Sequence, residues 1–186
     1  MAMPSNNEII EQTENWVNKV IVGLGFCPFA KPVVEAETIR YTVVDGFTPN
    51  VCLTALLSEL EKLDSEPELE TTLMVFPVGF ESFETYLDLV AVAEEFLAEQ
   101  DYEGIYQLAS FHPDYCFEGS KQDDPANFTN RSPYPSLHII REASIEAVLE
   151  PIEHPEEIPE RNIQLARDKG LQTMTELLES CKKPVK

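Results

Sequence analysis

Apolar residues recur at helical spacing from the start of the chain. Ser5 and Glu8 have the spacing of a capping box, in which each side chain bonds the other's backbone N–H. The apolar positions that follow predict a helix over residues 6–22. Gly23 and Gly25 are expected to end it, because glycine favours helix termination.

The pattern then alternates between strand and helix. Runs rich in β-branched and apolar residues predict strands, and leucine-rich segments with apolar faces predict helices, each beginning at a Thr or Ser cap. The predicted elements are a strand at 38–44, a helix from Thr48, a strand at 71–76, a helix from Ser82 and a strand at 105–111.

Residues 112–136 show no clear period and contain four prolines. Because several aromatic residues occur there, the segment is predicted to be a long loop packed on its own side chains. A fourth strand is predicted at 137–140, followed by helices from Ser144, over 159–169 and from Leu171.

These elements predict an α+β fold with an α/β-like βαβαβ core. Residues 1–186 are expected to form a single domain with a mixed four-stranded sheet, a long irregular loop and C-terminal helices, while residues 1–5 and 182–186 fray. Two consecutive βαβ units imply three parallel strands with right-handed crossovers, and the fourth strand is expected to pair antiparallel beside them.

The formal net charge of −21 argues against two classes of partner. Proteins bind nucleic acids and anionic membranes through an excess of Lys and Arg side chains. This chain has the opposite balance of charge, so neither partner is expected. The N-terminus lacks the features of a secretory signal, and the apolar runs are too short for a membrane span. A cytoplasmic protein with reduced cysteines is therefore expected, and no two of the four cysteines form a CxxC pair.

The long loop concentrates reactive side chains after a predicted parallel strand, where ligands of open α/β sheets often bind. Arg131 and Arg141 could hold a carboxylate or phosphate, and a histidine could transfer a proton near neutral pH. The further neutral or cationic donors assigned to this anion site are Lys121, Asn130 and Ser132. The alternative is that each arginine pairs with an internal acid and holds the loop in place.

Cys27 is a candidate nucleophile with two opposite interpretations. If Pro28 begins a helical turn, Cys27 caps it and the backbone dipoles favour the thiolate. If Cys27 is instead a buried packing residue, it behaves as a small apolar side chain.

A metal site is a further alternative. In an extended backbone His112, Asp114 and Cys116 would share one face, and His138 with an Asp at 123 or 124 could complete the ligands. The structural alternative is a hydrogen-bonded, half-buried His112 and an Asp114 engaged in a turn.

Three segments together resemble the domain of unknown function 1415 family, over nearly the whole chain. The matching motifs read LGFCPFA at 24–30, ASFHPDYxF at 109–117, and NxTNRSPYPxLHxxREAS at 127–144. The resemblance implies a soluble, mostly bacterial protein and supplies no catalytic roles.

The leading hypothesis is an enzyme-like pocket for a small anionic metabolite, formed where the three segments converge at the C-terminal edge of the parallel strands. Its catalytic candidates are Cys27, His112, Asp114 and His138. The competing hypotheses are a binding or scaffold protein with a self-packed loop, and a His/Asp metal-binding protein. The sequence leaves the reaction, the cofactor and the oligomeric state open.

Overall fold

The computed structural model describes residues 3–183. Of the predicted frayed tails, residues 1–2 and 184–186 lie outside this range. Two residues of the described parts of the tails make contacts. Ser5 caps the first helix, and Lys182 Nζ lies 5.1 Å from the ring centroid of Tyr134.

Within the described range the chain forms one α+β domain with a mixed four-stranded sheet, as predicted. The helices are α1 (Asn6–Trp16), α2 (Ala30–Glu35), α3 (Pro49–Ser65), α4 (Phe83–Glu99), α5 (Glu142–Leu149), α6 (Ile158–Lys169) and α7 (Leu171–Cys181). The strands are β1 (Ile39–Val43), β2 (Thr71–Val75), β3 (Tyr106–Phe111) and β4 (Ser136–Arg141). Short 3-10 turns occur at Pro125–Thr129 and Pro155–Glu157.

The first predicted helix is observed as two kinds of helix. After α1 the chain continues as a π-helical segment, Val17–Val22, and Gly23 N donates to Asn18 O, five residues back. A Cβ built on Gly23 would lie 2.3 Å from Lys19 O. Glycine therefore permits this wide turn, which periodicity alone does not distinguish from an α-helix.

The strand order is β1-β2-β4-β3, which corrects one part of the predicted topology. β1 and β2 pair in parallel, but β4 lies between β2 and β3 and is antiparallel to both, so β3 does not pair with β2. The central position suits β4, because Leu137 and Ile139 are buried on one face while Ile140 is buried on the other. A strand covered on both faces belongs inside a sheet.

The sheet separates two groups of helices. The closed face is the side bearing Met74, Leu137 and Ile139, and the amphipathic helices α3 and α4 cover it. The cavity face is the opposite side, bearing Leu73, Ala109 and His138, which are neighbours across three strands. Shorter elements from the two ends of the chain cover the cavity face.

Candidate functional site

A cavity of about 480 Å³ lies on the cavity face of the sheet. This volume falls within the range of sites that hold small organic molecules. Most of its lining is apolar and comes from segments far apart in sequence, including Phe29, Val33, Leu73, Phe117, Ile145 and Ile163. The cavity therefore lies over the sheet, whereas the site was predicted at the C-terminal edge of the strands.

His138 contributes a polar group to the cavity lining. It is half-buried on β4, and its Nε2 lies 2.7 Å from Thr71 Oγ1 on β2. Burial lowers the pKa of His138 to about 4, because the apolar surroundings disfavour a charged imidazolium. At neutral pH the ring is therefore uncharged.

Cys27 also lines the cavity, in the turn that precedes α2. Burial raises the pKa of its thiol, and this effect outweighs the lowering by the backbone N–H groups of Phe29 and Ala30. Phe29, not Cys27, is the N-cap of α2, so the structure does not place Cys27 at a helix cap. The raised pKa keeps the thiol in its protonated form at neutral pH.

The remaining polar side chains of the wall are occupied by internal hydrogen bonds or lie at the surface. Asn130 Nδ2 donates to Ser110 O, Thr129 Oγ1 donates to Ala126 O, and Asn162 Nδ2 donates to Phe26 O at 2.6 Å. Gln107 is exposed. These bonds fix the positions of the loop and of α6 around the cavity.

His112 and Asp114 lie in a different, smaller recess of about 250 Å³, at the C-terminal edge of β3. His112 is buried, with Nε2 2.8 Å from Phe80 O and Nδ1 accepting from Asp114 N at 3.0 Å. Burial also lowers its pKa. Both ring nitrogens are thus engaged, which matches the structural alternative for this histidine.

Arg131 and Arg141 do not converge, in contrast to the predicted anion site. Arg131 lies in the loop that begins at the C-terminal edge of β3. Its guanidinium donates to the carbonyls of Tyr115 and Gln122. Arg141 pairs in register with Tyr106 at the opposite edge of the sheet. The antiparallel direction of β4 separates them, because the strand carries the chain away from the loop.

The Arg141 guanidinium is likewise engaged by the protein. It donates to Leu63 O at 2.6 Å, to Leu69 O at 3.0 Å and to the hydroxyl of Tyr106 at 3.0 Å. No Lys or Arg is found among the described residues that line the cavity. Within the described part of the chain, neither Arg131 nor Arg141 could therefore form an ion pair with a ligand in this cavity.

Residues 112–135, between β3 and β4, are called the motif loop, and its own polar groups hold the rest of it in place. Asn127 is fully buried; its side chain accepts from Phe117 N and donates to Lys121 O. Ser132 Oγ donates to Tyr134 O, and the Lys121 side chain is exposed. These contacts explain the polar composition of the loop as a means of holding an irregular backbone in place.

Two absences concern residues 3–183 alone. This part of the chain contains no group of three or more His, Cys, Asp or Glu side chains placed to hold a metal ion. None of its helices combines the length and the apolarity needed to cross a bilayer.

Sequence reasoning missed one residue that contacts the cavity lining and three residues that belong to it. Thr71, which contacts His138 but does not itself line the cavity, resembled an ordinary strand residue. Ile145, Val148 and Leu149 line the cavity from α5, a helix that was predicted from Ser144 without any of its residues being assigned to a site. Their helical spacing was the available signal, since it places three apolar side chains on one side of α5.

Comparison with known proteins identifies a family without a described activity. A family model with the description "Protein of unknown function (DUF1415)" matches residues 8–176. No curated protein matches the chain, and no solved structure does.

Proposed function

The chain belongs to the DUF1415 family, and from the geometry of its cavity we propose that it binds a small, mainly apolar molecule. The observation that carries this proposal is the composition of the cavity wall. A volume of about 480 Å³ is enclosed mostly by aliphatic and aromatic side chains, with His138 and Cys27 among the few polar groups.

The driving force for such binding is the transfer of apolar ligand surface out of water. Roughly 25 cal/mol is gained for each Å² of apolar surface that is removed from water. Because the lining lacks a formal positive charge among its described residues, an anion would lose hydration without gaining an ion pair. The cavity thus favours an uncharged ligand over the anionic metabolite expected from the sequence.

The motif loop supports this site as a wall. Phe117, Thr129 and Asn130 line the cavity, and the indole Nε1 of Trp16, another lining residue, donates to Arg131 O at 2.9 Å. Arg131 and Arg141, which were expected to hold substrate, have a structural role in this proposal. They donate to carbonyls of the motif loop and of the segments beside the sheet edge.

Binding can be measured with 2-methoxynaphthalene, an apolar fluorescent probe. We expect saturable binding to the wild-type chain. Ala109→Leu, which extends a side chain from β3 into the cavity, should weaken binding at least tenfold because it occupies the ligand volume.

Ala91→Leu provides the matched control. Ala91 is exposed on α4, which covers the other face of the sheet, so this variant should bind like the wild type. Absence of saturable binding by the wild type, or equal loss of binding in both variants, would refute the proposal.

A further inference from the structure

The position of the proton on His138 follows from its neighbours. Thr71 Oγ1 lies 2.5 Å from Ile139 O and 2.7 Å from His138 Nε2. A carbonyl oxygen only accepts, so the single hydroxyl hydrogen of Thr71 is directed to Ile139 O. Thr71 Oγ1 must then accept a hydrogen bond from Nε2, which therefore carries the ring proton.

The other ring nitrogen is consequently an unprotonated acceptor. In a neutral imidazole only one nitrogen carries hydrogen, and burial keeps His138 neutral. Among residues 3–183, Nδ1 has no hydrogen-bond partner, yet it is not one of the fully buried unpaired atoms. It therefore retains surface open to the cavity that the ring lines.

The neighbouring polar groups do not compete for this position. The side chains of Asn130, Thr129 and Asn162 each donate to a backbone carbonyl, at Ser110, Ala126 and Phe26 respectively. A ligand in the cavity excludes water from Nδ1, so a ligand that supplies a donor keeps this acceptor paired and one that lacks a donor leaves it unpaired.

We infer that the ligand of this cavity is an apolar molecule bearing one hydrogen-bond donor, such as a phenolic or alcoholic hydroxyl or an N–H group, which bonds Nδ1 of His138. This inference rests on the proposed function, because it specifies the class of molecule that the apolar cavity accepts. Thr71 is a positioning residue in this scheme, since it acts through the imidazole.

The tautomer can be observed without any ligand. In a ¹⁵N spectrum of the histidine side chains at pH 7, Nδ1 of His138 should resonate as an unprotonated nitrogen and Nε2 as a protonated one. His138→Gln assigns the signal by removing it. A protonated Nδ1 in the wild-type chain would overturn the inference.

Selectivity is tested with 2-naphthol, which carries a hydroxyl where 2-methoxynaphthalene carries a methyl ether; both fluoresce. The methyl group adds apolar surface that favours the ether, so the donor effect is measured as the change that removal of Nδ1 makes to the ratio of the two affinities. A net hydrogen bond of about 1 kcal/mol corresponds to roughly fivefold in this ratio.

His138→Phe removes the acceptor and keeps a flat ring on β4, since the phenyl group carries no nitrogen. The ratio of the affinity for 2-naphthol to the affinity for 2-methoxynaphthalene should be about fivefold lower in this variant than in the wild type, whatever the absolute affinities. An unchanged ratio would refute the donor requirement and leave the apolar site intact, whereas failure of both probes to bind the wild type would refute the proposed function itself.

Discussion

The two faces of the sheet are covered in different ways. On the closed face, α3 and α4 each run for 17 residues and bury a regular row of side chains, so that Leu60 and Ala93 have no exposed surface. On the cavity face, the covering elements are short and irregular, and α5 contributes no buried residue at all.

The difference shows how the same sheet can serve stability on one side and binding on the other. Long amphipathic helices fill the space between themselves and the strands. The cavity face is held instead by specific polar bonds at its rim, such as Asn162 to Phe26 O and Trp16 to Arg131 O. These bonds join the elements that surround the cavity to one another, and apolar side chains do not fill the space between them.

The largest expected contrast is in the free energy of unfolding lost when a leucine on each face is replaced by alanine. Leu60→Ala should lower the free energy of unfolding by about 2–5 kcal/mol, because it leaves a void in a filled core. Leu149→Ala should cost less than about 1.5 kcal/mol, because this half-buried side chain already borders the cavity. Urea denaturation of both variants measures the difference, and equal costs would show that the two faces are packed alike.

The pH dependence of stability is the second way to test the contrast. His138 has a pKa of about 4 in the folded chain against an ordinary value of 6.5. Between these values the unfolded state binds a proton that the folded state does not. The contribution of His138 to the free energy of unfolding is therefore fully present above pH 6.5 and is lost as the pH falls to about 4. The loss attributable to this group is no more than about 3 kcal/mol.

His138→Gln isolates this effect from other titrating groups. Burial also lowers the pKa of His112, so this group contributes to acid sensitivity in either chain. Arg167 holds the pKa of Asp124 at about 2, so the contribution of Asp124 is lost only below pH 4, outside the measured range. Unfolding free energies measured from pH 7 to pH 4 should therefore fall less steeply in the variant. Parallel curves would mean that His138 does not have the depressed pKa.

The smallest expected effect is a difference in tolerance of added volume. Ala93→Leu inserts three carbon atoms into the filled core of the closed face and should cost about 1–3 kcal/mol. Ala109→Leu extends into the cavity and should change stability by less than about 1 kcal/mol. Thermal denaturation of the pair measures this, and a larger cost for Ala109→Leu would argue against an open volume there.

Most elements of the fold could be predicted because their signals are local. Thr48 and Ser82 cap α3 and α4 as expected, since a cap depends on neighbouring backbone N–H groups. The position of β4 could not be predicted in the same way. Whether a fourth strand adds at an edge or enters between two others depends on contacts with residues more than 60 positions away.

The structure brings some of the candidate site residues together and separates others. Cys27, Asn130 and His138 line one cavity, although no local pattern places Cys27 near β4. Arg131 and Arg141 bond carbonyls in separate parts of the fold, because residue type indicates what a guanidinium can bind but not which carbonyls the fold brings to it.

By itself, the sequence determined the helices and strands, the single α+β domain and the family to which the chain belongs, because these depend on periodicity, capping and motifs that neighbouring residues carry. Only the tertiary structure decided where the polar groups of those motifs lie. The direction of β4 moved Arg141 away from the loop and placed His138 against Thr71, and the short elements across the cavity face left a space that no linear pattern records.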